Sequence, residues 1–115
     1  MTVTSQTMAH PGRRIVTLGE AMLRLTAPAG ERLQSSVELH SYVAGSEANV
    51  ARTVARLGAP SVWLSALPES PIGERIVREL NADGVDTSFV QRTAMQTRAR
   101  MRDVAQQVVD GTLTP

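Results

Sequence analysis

Two helical patterns, each preceded by a strand-like segment and each ending at a glycine, constrain the fold of this chain more than any other feature. The first runs over residues 46–58 and the second over residues 70–84. Glycine is the residue that most readily ends a helix in a left-handed conformation. Short strands that alternate with helices predict an α/β fold with at least one parallel crossover.

The spacing of apolar residues predicts which face of each helix is buried. In both helices they recur at intervals of three and four residues. The positions are Val50, Val54 and Leu57, with Ala51 and Ala55 beside them, in the first helix, and Ile72, Ile76 and Leu80 in the second. We expect Ser46 to cap the first helix, and Ser70 followed by Pro71 to begin the second.

Five other segments have the composition or alternation of strands. They are residues 15–18, 21–26, 37–43, 61–66 and 85–93. Residues 1–14 lack an apolar period, and we interpret them as a flexible leader. A third helical pattern, richer in charge, includes Met101, Val104, Ala105 and Val108.

The charge balance and the absence of cysteine exclude several functions. The formal net charge is +1, and all twelve basic residues are arginine, so the composition does not favour a nucleic-acid partner. An arginine-rich tail helix that binds nucleic acid is the weakest alternative. The lack of cysteine excludes disulfides and thiolate metal sites and predicts a cytoplasmic protein. No apolar run approaches the roughly 20 residues that span a bilayer, so we expect no membrane association.

The turn in "AGSEANVARTVARLG" is the strongest candidate for ligand binding. Gly45 lets a ligand approach the backbone N–H groups at the start of a helix, where the helix dipole favours anionic or hydroxyl-rich groups. Asn49, one turn further on, offers amide donors and an acceptor to a polyol. The alternative is an ordinary strand-to-helix turn in which Ser46 caps the helix and Asn49 bonds back to the loop.

Other candidate chemistry has little support. The chain contains no lysine for a P-loop and no G-x-G-x-x-G run. His10 and His40 are isolated from other potential metal ligands, and we interpret both as surface residues. Asp83 and Asp86 flank the turn after the second helix and are predicted to form that turn rather than an acid/base pair.

Three segments, "TLGEAMLRL", "AGSEANVARTVARLG" and "LPESPIGERIVRELNADGVDTS", occur in this order. Together they resemble the amino-terminal part of the ribokinase-like (PfkB) carbohydrate kinases, most closely those that act on 2-keto-3-deoxygluconate. The resemblance implies that residues 15–97 form the amino-terminal part of a doubly wound parallel sheet with a small β lid. Glu47 agrees with the keto-deoxygluconate branch, in which an acidic residue is common at this position.

The same resemblance implies a site and cofactors. Gly45 and Asn49 would contact sugar hydroxyls, with Ser46 beside them and Arg24 near the pocket. Arg24 stands where several sugar kinases have an acidic sugar contact, which disfavours a fructose-like or ribose-like substrate. The family uses ATP and a divalent metal such as Mg²⁺, and an aspartate base activates the primary hydroxyl of the sugar.

The family's catalytic aspartate lies in a Gly-Ala-Gly-Asp run in the carboxy-terminal half, which also supplies nearly all of the ATP pocket. This sequence has no such run, so we assign it no catalytic, ATP-binding or metal-binding residue and expect it to be inactive alone. Residues 98–115 are polar and helix-patterned where the family has an apolar lid strand, which suggests a frameshifted, truncated or rearranged gene. The alternative function is a non-catalytic module that binds sugar or forms a homodimer through the lid strands.

Overall fold

Strands and helices alternate along the chain, which confirms the predicted α/β fold. The computed structural model describes residues 13–93 and 101–113. Its elements are β1 (Ile15–Leu18), β2 (Met22–Thr26), β3 (His40–Ala44), α1 (Ser46–Arg56), β4 (Ser61–Leu64), β5 (Ala66–Pro68), α2 (Pro71–Ala82), β6 (Gln91–Thr93) and α3 (Met101–Val109), with a 3₁₀ turn at Leu33–Ser35. The leader predicted for residues 1–14 lies almost entirely outside the described residues, as does His10.

A parallel sheet is built around β4 and β5, which are separated only by Ser65. β1 runs parallel to β4, and β6 runs parallel to β5. On the edge of β4 away from β1, the Trp63 N–H donates to the Asp86 carbonyl at 3.1 Å, and the Asp86 N–H donates to the Ser61 carbonyl at 2.9 Å. The β4–β5 segment is therefore the central strand.

Helices cover both faces of this central strand. Trp63 is fully buried in a cluster that includes side chains of α1 and α2. Its neighbours Val62 and Leu64 point to the opposite face and pack against Val104 of α3. Side chains of all four β4 residues are buried, as expected for a parallel strand covered on two sides.

The buried face of α1 differs from the prediction. Val50 and Leu57 are 50% and 74% exposed, whereas Ala48 is buried. The prediction is confirmed for Ala51, which is buried, and for Ala55, which packs against the core. The indole of Trp63 fills the space below the helix, so only small side chains fit between α1 and the sheet. The Ser61 hydroxyl donates to the Ala51 carbonyl at 2.9 Å, which fixes this close approach.

The prediction for α2 is correct at two positions of three. Ile76 and Leu80 are buried, whereas Ile72 in the first turn is half exposed. The Ser70 hydroxyl accepts a hydrogen bond from the Gly73 N–H at 3.2 Å, and Pro71 begins the helix. Gly84, with φ of +94°, follows the helix in the left-handed conformation.

The third strand begins later than the sequence pattern predicts. β3 starts at His40, three residues after the start of the predicted segment, and pairs antiparallel with β2. The ladder ends at the pair Thr26 and His40, and Thr26 is also the last residue of β2. Together β2 and β3 form a two-stranded ribbon, the small lid of the fold.

Side-chain hydrogen bonds and ion pairs join the helices to each other and to the ribbon. The Asp83 carboxylate accepts hydrogen bonds from Arg52 of α1 at 2.5 Å and from Arg56 at 2.8 Å. Arg75 of α2 donates to the Ser41 carbonyl of β3 at 3.0 Å. Asp83 thus ties the end of α2 to α1, in addition to lying in the predicted turn.

We expect Asp83→Asn to lower the free energy of unfolding at pH 7 by about 1–3 kcal/mol, because two arginines lose a charged acceptor. Burial raises the pKa of the Asp83 carboxyl, but hydrogen bonds from Arg56 and Arg52 outweigh burial and hold this pKa below its ordinary value of 3.8. The ion pair therefore stabilises the fold above that ordinary value and ceases to do so as the pH falls through the lowered pKa. Urea unfolding of both proteins across this range, followed by Trp63 fluorescence, measures the effect.

A control is Glu38→Gln, which changes an exposed carboxylate and should alter stability by less than about 0.5 kcal/mol. A difference between Asp83→Asn and the unaltered chain that persists undiminished at the lowest pH would contradict the role assigned to the ion pair.

Candidate functional site

The turn between β3 and α1 lies directly against the loop that follows β1. Gly45 has φ of +153° and ψ of 132°, a region that residues with a side chain rarely adopt. A Cβ atom at this position would lie 2.5 Å from the Glu20 carbonyl oxygen and 3.1 Å from the Ala21 Cα. Glycine is therefore required both by the backbone conformation and by the approach of the two segments.

Gly45 is also the residue that caps α1, so the prediction that Ser46 caps the helix is wrong. Ser46 is the first residue of the helix, and within the described part of the chain no side chain caps the free N–H groups of the first turn. The Asn49 N–H donates to the Gly45 carbonyl at 2.8 Å, an ordinary first helical bond. The start of α1 therefore has backbone N–H groups without a side-chain cap among the described residues.

A second glycine brings β1 close to the same helix. A Cβ atom at Gly19 would overlap the Glu47 side chain. The Thr17 hydroxyl donates to the Glu47 carbonyl at 3.1 Å. Gly19 and Gly45 therefore allow the end of β1 and the start of α1 to face each other at short distance.

An open cleft of about 540 Å³ lies where these segments meet. Its lining combines apolar side chains, two carboxylates, a hydroxyl and the two glycines. The lining residues are Leu18, Gly19, Glu20, Met22, Gly45, Ser46, Glu47 and Ala105.

Two of the four predicted site residues line this cleft, Gly45 and Ser46. Asn49 is exposed and lies three residues beyond Ser46, hence beside it on the helix surface. Arg24 lies on the same face of the ribbon as Met22, two residues further along, and its guanidinium is 5.5 Å from the centre of the Tyr42 ring. The sugar contacts assigned to these four residues stay predictions.

Several residues that line the cleft were not predicted as site residues, and Glu20, Glu47 and Ala105 are the most informative of them. Glu20 and Glu47 supply its carboxylates, and Ala105 comes from α3. Both glutamates lie in segments whose resemblance to a known family is clear, "TLGEAMLRL" and "AGSEAN". Nothing local in the sequence places Ala105 there, because its position depends on how α3 packs.

The charge of the cleft suits hydroxyl groups better than phosphates. Glu20 and Glu47 accept hydrogen bonds from hydroxyls, and the Ser46 hydroxyl can donate or accept. No arginine of the described residues lines the cleft, so a triphosphate would meet two carboxylates without a balancing cation. Within residues 13–93 and 101–113, no group of three or more acidic or histidine side chains could hold a metal ion. The described lining of the cleft therefore offers ATP and its metal two carboxylates and no cationic side chain.

Comparison with known proteins identifies the family. The pfkB family carbohydrate kinase pattern matches residues 13–110. The chain belongs to this family. Over 72 residues it is 47% identical to a 2-dehydro-3-deoxygalactonokinase of Haloferax volcanii, a match that covers 63% of this chain and 23% of that protein.

Solved structures of PfkB kinases match the fold. A 2-dehydro-3-deoxygluconokinase of Thermotoga maritima aligns with a TM-score of 0.67 and 34% identity, covering 69% of this chain and 24% of that one. A sugar kinase of Pyrococcus horikoshii in complex with ATP aligns with a TM-score of 0.66 and 30% identity, covering 70% of this chain and 27% of that one. The chain spans about a quarter of the length of these relatives. Among the described residues, no helix has the length and apolar character needed to cross a membrane.

We expect Gly45→Ala to lower the free energy of unfolding by about 2 kcal/mol or more, since the new Cβ would collide with the Glu20 carbonyl in a strained conformation. Gly30→Ala is the matched control: Gly30 also has a positive φ, but beyond its two chain neighbours no atom of the described residues lies within 4 Å of the position of a new Cβ. Gly30→Ala should lower the free energy of unfolding by only about 1 kcal/mol. Urea unfolding measures both effects. An equal decrease in the free energy of unfolding of the two variants would show that the contact with Glu20 does not restrict the residue at position 45.

Proposed function

We propose that this chain is the sugar-binding part of a PfkB kinase that phosphorylates the primary hydroxyl of a keto-deoxy sugar acid such as 2-keto-3-deoxygluconate. The observation that carries the proposal is the cleft at the Gly45 turn, which combines a helix start without a side-chain cap with carboxylates that can accept hydrogen bonds from hydroxyls. The relatives named as deoxygalactonokinase and deoxygluconokinase support the choice of substrate.

The charge distribution suggests how such a sugar acid would be oriented. Its hydroxyls would face Glu20 and Glu47, while its carboxylate would lie toward Arg24, further along the ribbon. The guanidinium lies 5.5 Å from the centre of the Tyr42 ring, a cation–π contact that would favour this position of Arg24 for a salt bridge. Asn49 would contribute its amide at the outer end of the cleft.

Phosphoryl transfer would require segments that this sequence does not contain. Catalysis of this reaction depends on positioning the phosphoryl donor and stabilising the transferring charge. Among the described residues, none that lines the cleft is a cation that could bind a triphosphate, and the sequence lacks a Gly-Ala-Gly-Asp run. We therefore propose that the chain alone binds sugar and does not phosphorylate it, and that ATP and Mg²⁺ bind elsewhere in a complete kinase. A cytoplasmic location stays a prediction from the absence of cysteine.

We expect the isolated chain to bind 2-keto-3-deoxygluconate in isothermal titration calorimetry and to form no phosphorylated product with ATP and Mg²⁺. Asn49→Ala should weaken binding about tenfold, because one hydrogen bond to the ligand is lost. Gln34→Ala is the control, since Gln34 is an exposed amide in the 3₁₀ turn. Absence of binding to the unaltered chain, or equal binding by Asn49→Ala, would contradict the proposed site, and product formation would contradict the proposed inactivity.

The ribbon supports a second candidate function, a non-catalytic module that forms a homodimer. Leu25 and Leu39 are 52% and 41% exposed near the outer end of β2 and the start of β3. Apolar side chains on a two-stranded ribbon are poorly covered by the chain itself, and a second copy would cover them.

If the ribbon mediates dimerisation, size-exclusion chromatography with light scattering should give twice the 12.4 kDa mass of one chain, and Leu25→Arg should give a monomer because a charge is unfavourable in an apolar interface. Val109→Arg places the same charge at an exposed position of α3 and should leave the dimer intact. A monomeric unaltered chain at high micromolar concentration would exclude this candidate.

A further inference from the structure

Helix α3 is fixed to the sheet by its own buried residues. Val104 is fully buried against Val62 and Leu64 of the central strand, and Val108 packs beside it. The Gln107 and Gln91 side chains form a hydrogen bond, so α3 is also joined to β6. The position of the helix is therefore determined by contacts with two strands.

This packing determines where Ala105 lies. Successive helical residues are rotated by about 100°, so Ala105 lies beside the buried Val104. It lines the cleft at the Gly45 turn, facing a set of residues from the end of β1, the loop after it and the start of α1. A segment distant in the sequence thus supplies part of the candidate site.

The lining of the cleft combines apolar and polar side chains. Ala105, Leu18 and Met22 are apolar, whereas Glu20 and Glu47 carry carboxylates. A keto-deoxy sugar acid has a methylene group that makes no hydrogen bonds, together with hydroxyls that do. Its methylene face matches the apolar lining, because placing a hydroxyl there would leave it without a partner.

We propose that α3 is part of the sugar site, and that Ala105 forms a wall that limits the size of the ligand and contacts its apolar face. This inference rests on the proposed sugar-binding function and adds a residue that no motif of the sequence assigned to it. Alanine is the required size because a larger side chain would extend into the space that the ligand needs.

The first test is Ala105→Phe, with binding of 2-keto-3-deoxygluconate measured by isothermal titration calorimetry. We expect the Kd to rise about tenfold or more, because the ring would occupy ligand volume. Val109→Phe is the control, since Val109 is 80% exposed on the same helix and is not part of the cleft. The Kd of Val109→Phe for the sugar acid should be the same as that of the unaltered chain.

A second variant keeps the proposal testable if Ala105→Phe fails to fold. Because the chain has no cysteine, Ala105→Cys and Val109→Cys each introduce a single thiol that reacts with N-ethylmaleimide. At about ten times the Kd of the sugar acid, reaction at position 105 should slow about tenfold, in proportion to the fraction of free sites. Reaction at position 109 should not change.

The outcomes separate this inference from the proposed function. Weaker binding by Ala105→Phe, or protection of the thiol at position 105 alone, supports the proposal that Ala105 contacts the ligand. If the unaltered chain binds the sugar acid but neither effect is seen, the role proposed for Ala105 is wrong, whereas the proposed sugar site is still supported. If the unaltered chain binds no sugar acid, both the proposed function and the role proposed for Ala105 are contradicted.

Discussion

The contact between Gly45 and the Glu20 carbonyl is the constraint on which the candidate site depends. Gly45 follows β3 directly, and Glu20 lies just before β2. The two strands pair at their base through Met22 and Ala44, so the contact closes the base of the ribbon where it joins the sheet. A side chain at position 45 would separate the two segments, which would move the start of α1 away from the loop and widen the cleft.

The fold meets this constraint with an unusual distribution of side-chain sizes. The chain has only three aromatic residues, and the one tryptophan, Trp63, lies at the centre of the sheet. Ala48 and Ala51 face it from α1. One large side chain in the sheet and small ones in the helix give dense packing while the helix stays close to β1. The closeness of α1 to β1 in turn brings Glu47 against Gly19, so the packing of the core and the lining of the cleft have a common cause.

Local signals in the sequence predicted what depends on local interactions. The cap at Ser70, the glycine after α2 and the strand–helix order all involve residues that are neighbours in the chain. For α1 the sequence predicted the buried Ala51 and the packed Ala55 but also Val50 and Leu57, which are exposed, because the size of Trp63 leaves room only for small side chains. In the same way, β3 begins where its partner β2 ends. Of the cleft, Gly45 and Ser46 were predicted, whereas Ala105 requires knowledge of how a distant helix packs.

The electrostatics of the cleft favour a division of roles in the proposed kinase. Carboxylates that bind sugar hydroxyls would repel a triphosphate placed in the same cleft, which supports the proposal that other segments hold the phosphoryl donor. A sugar bound between α1, the loop after β1 and α3 would then present its primary hydroxyl to those segments. The contribution of this part to catalysis would be to hold one reactant in position, which lowers the entropic cost of bringing two substrates together. The close contacts that Gly19 and Gly45 permit bring the segments of the cleft together before the sugar binds, and a site that is already formed loses less entropy when its ligand enters.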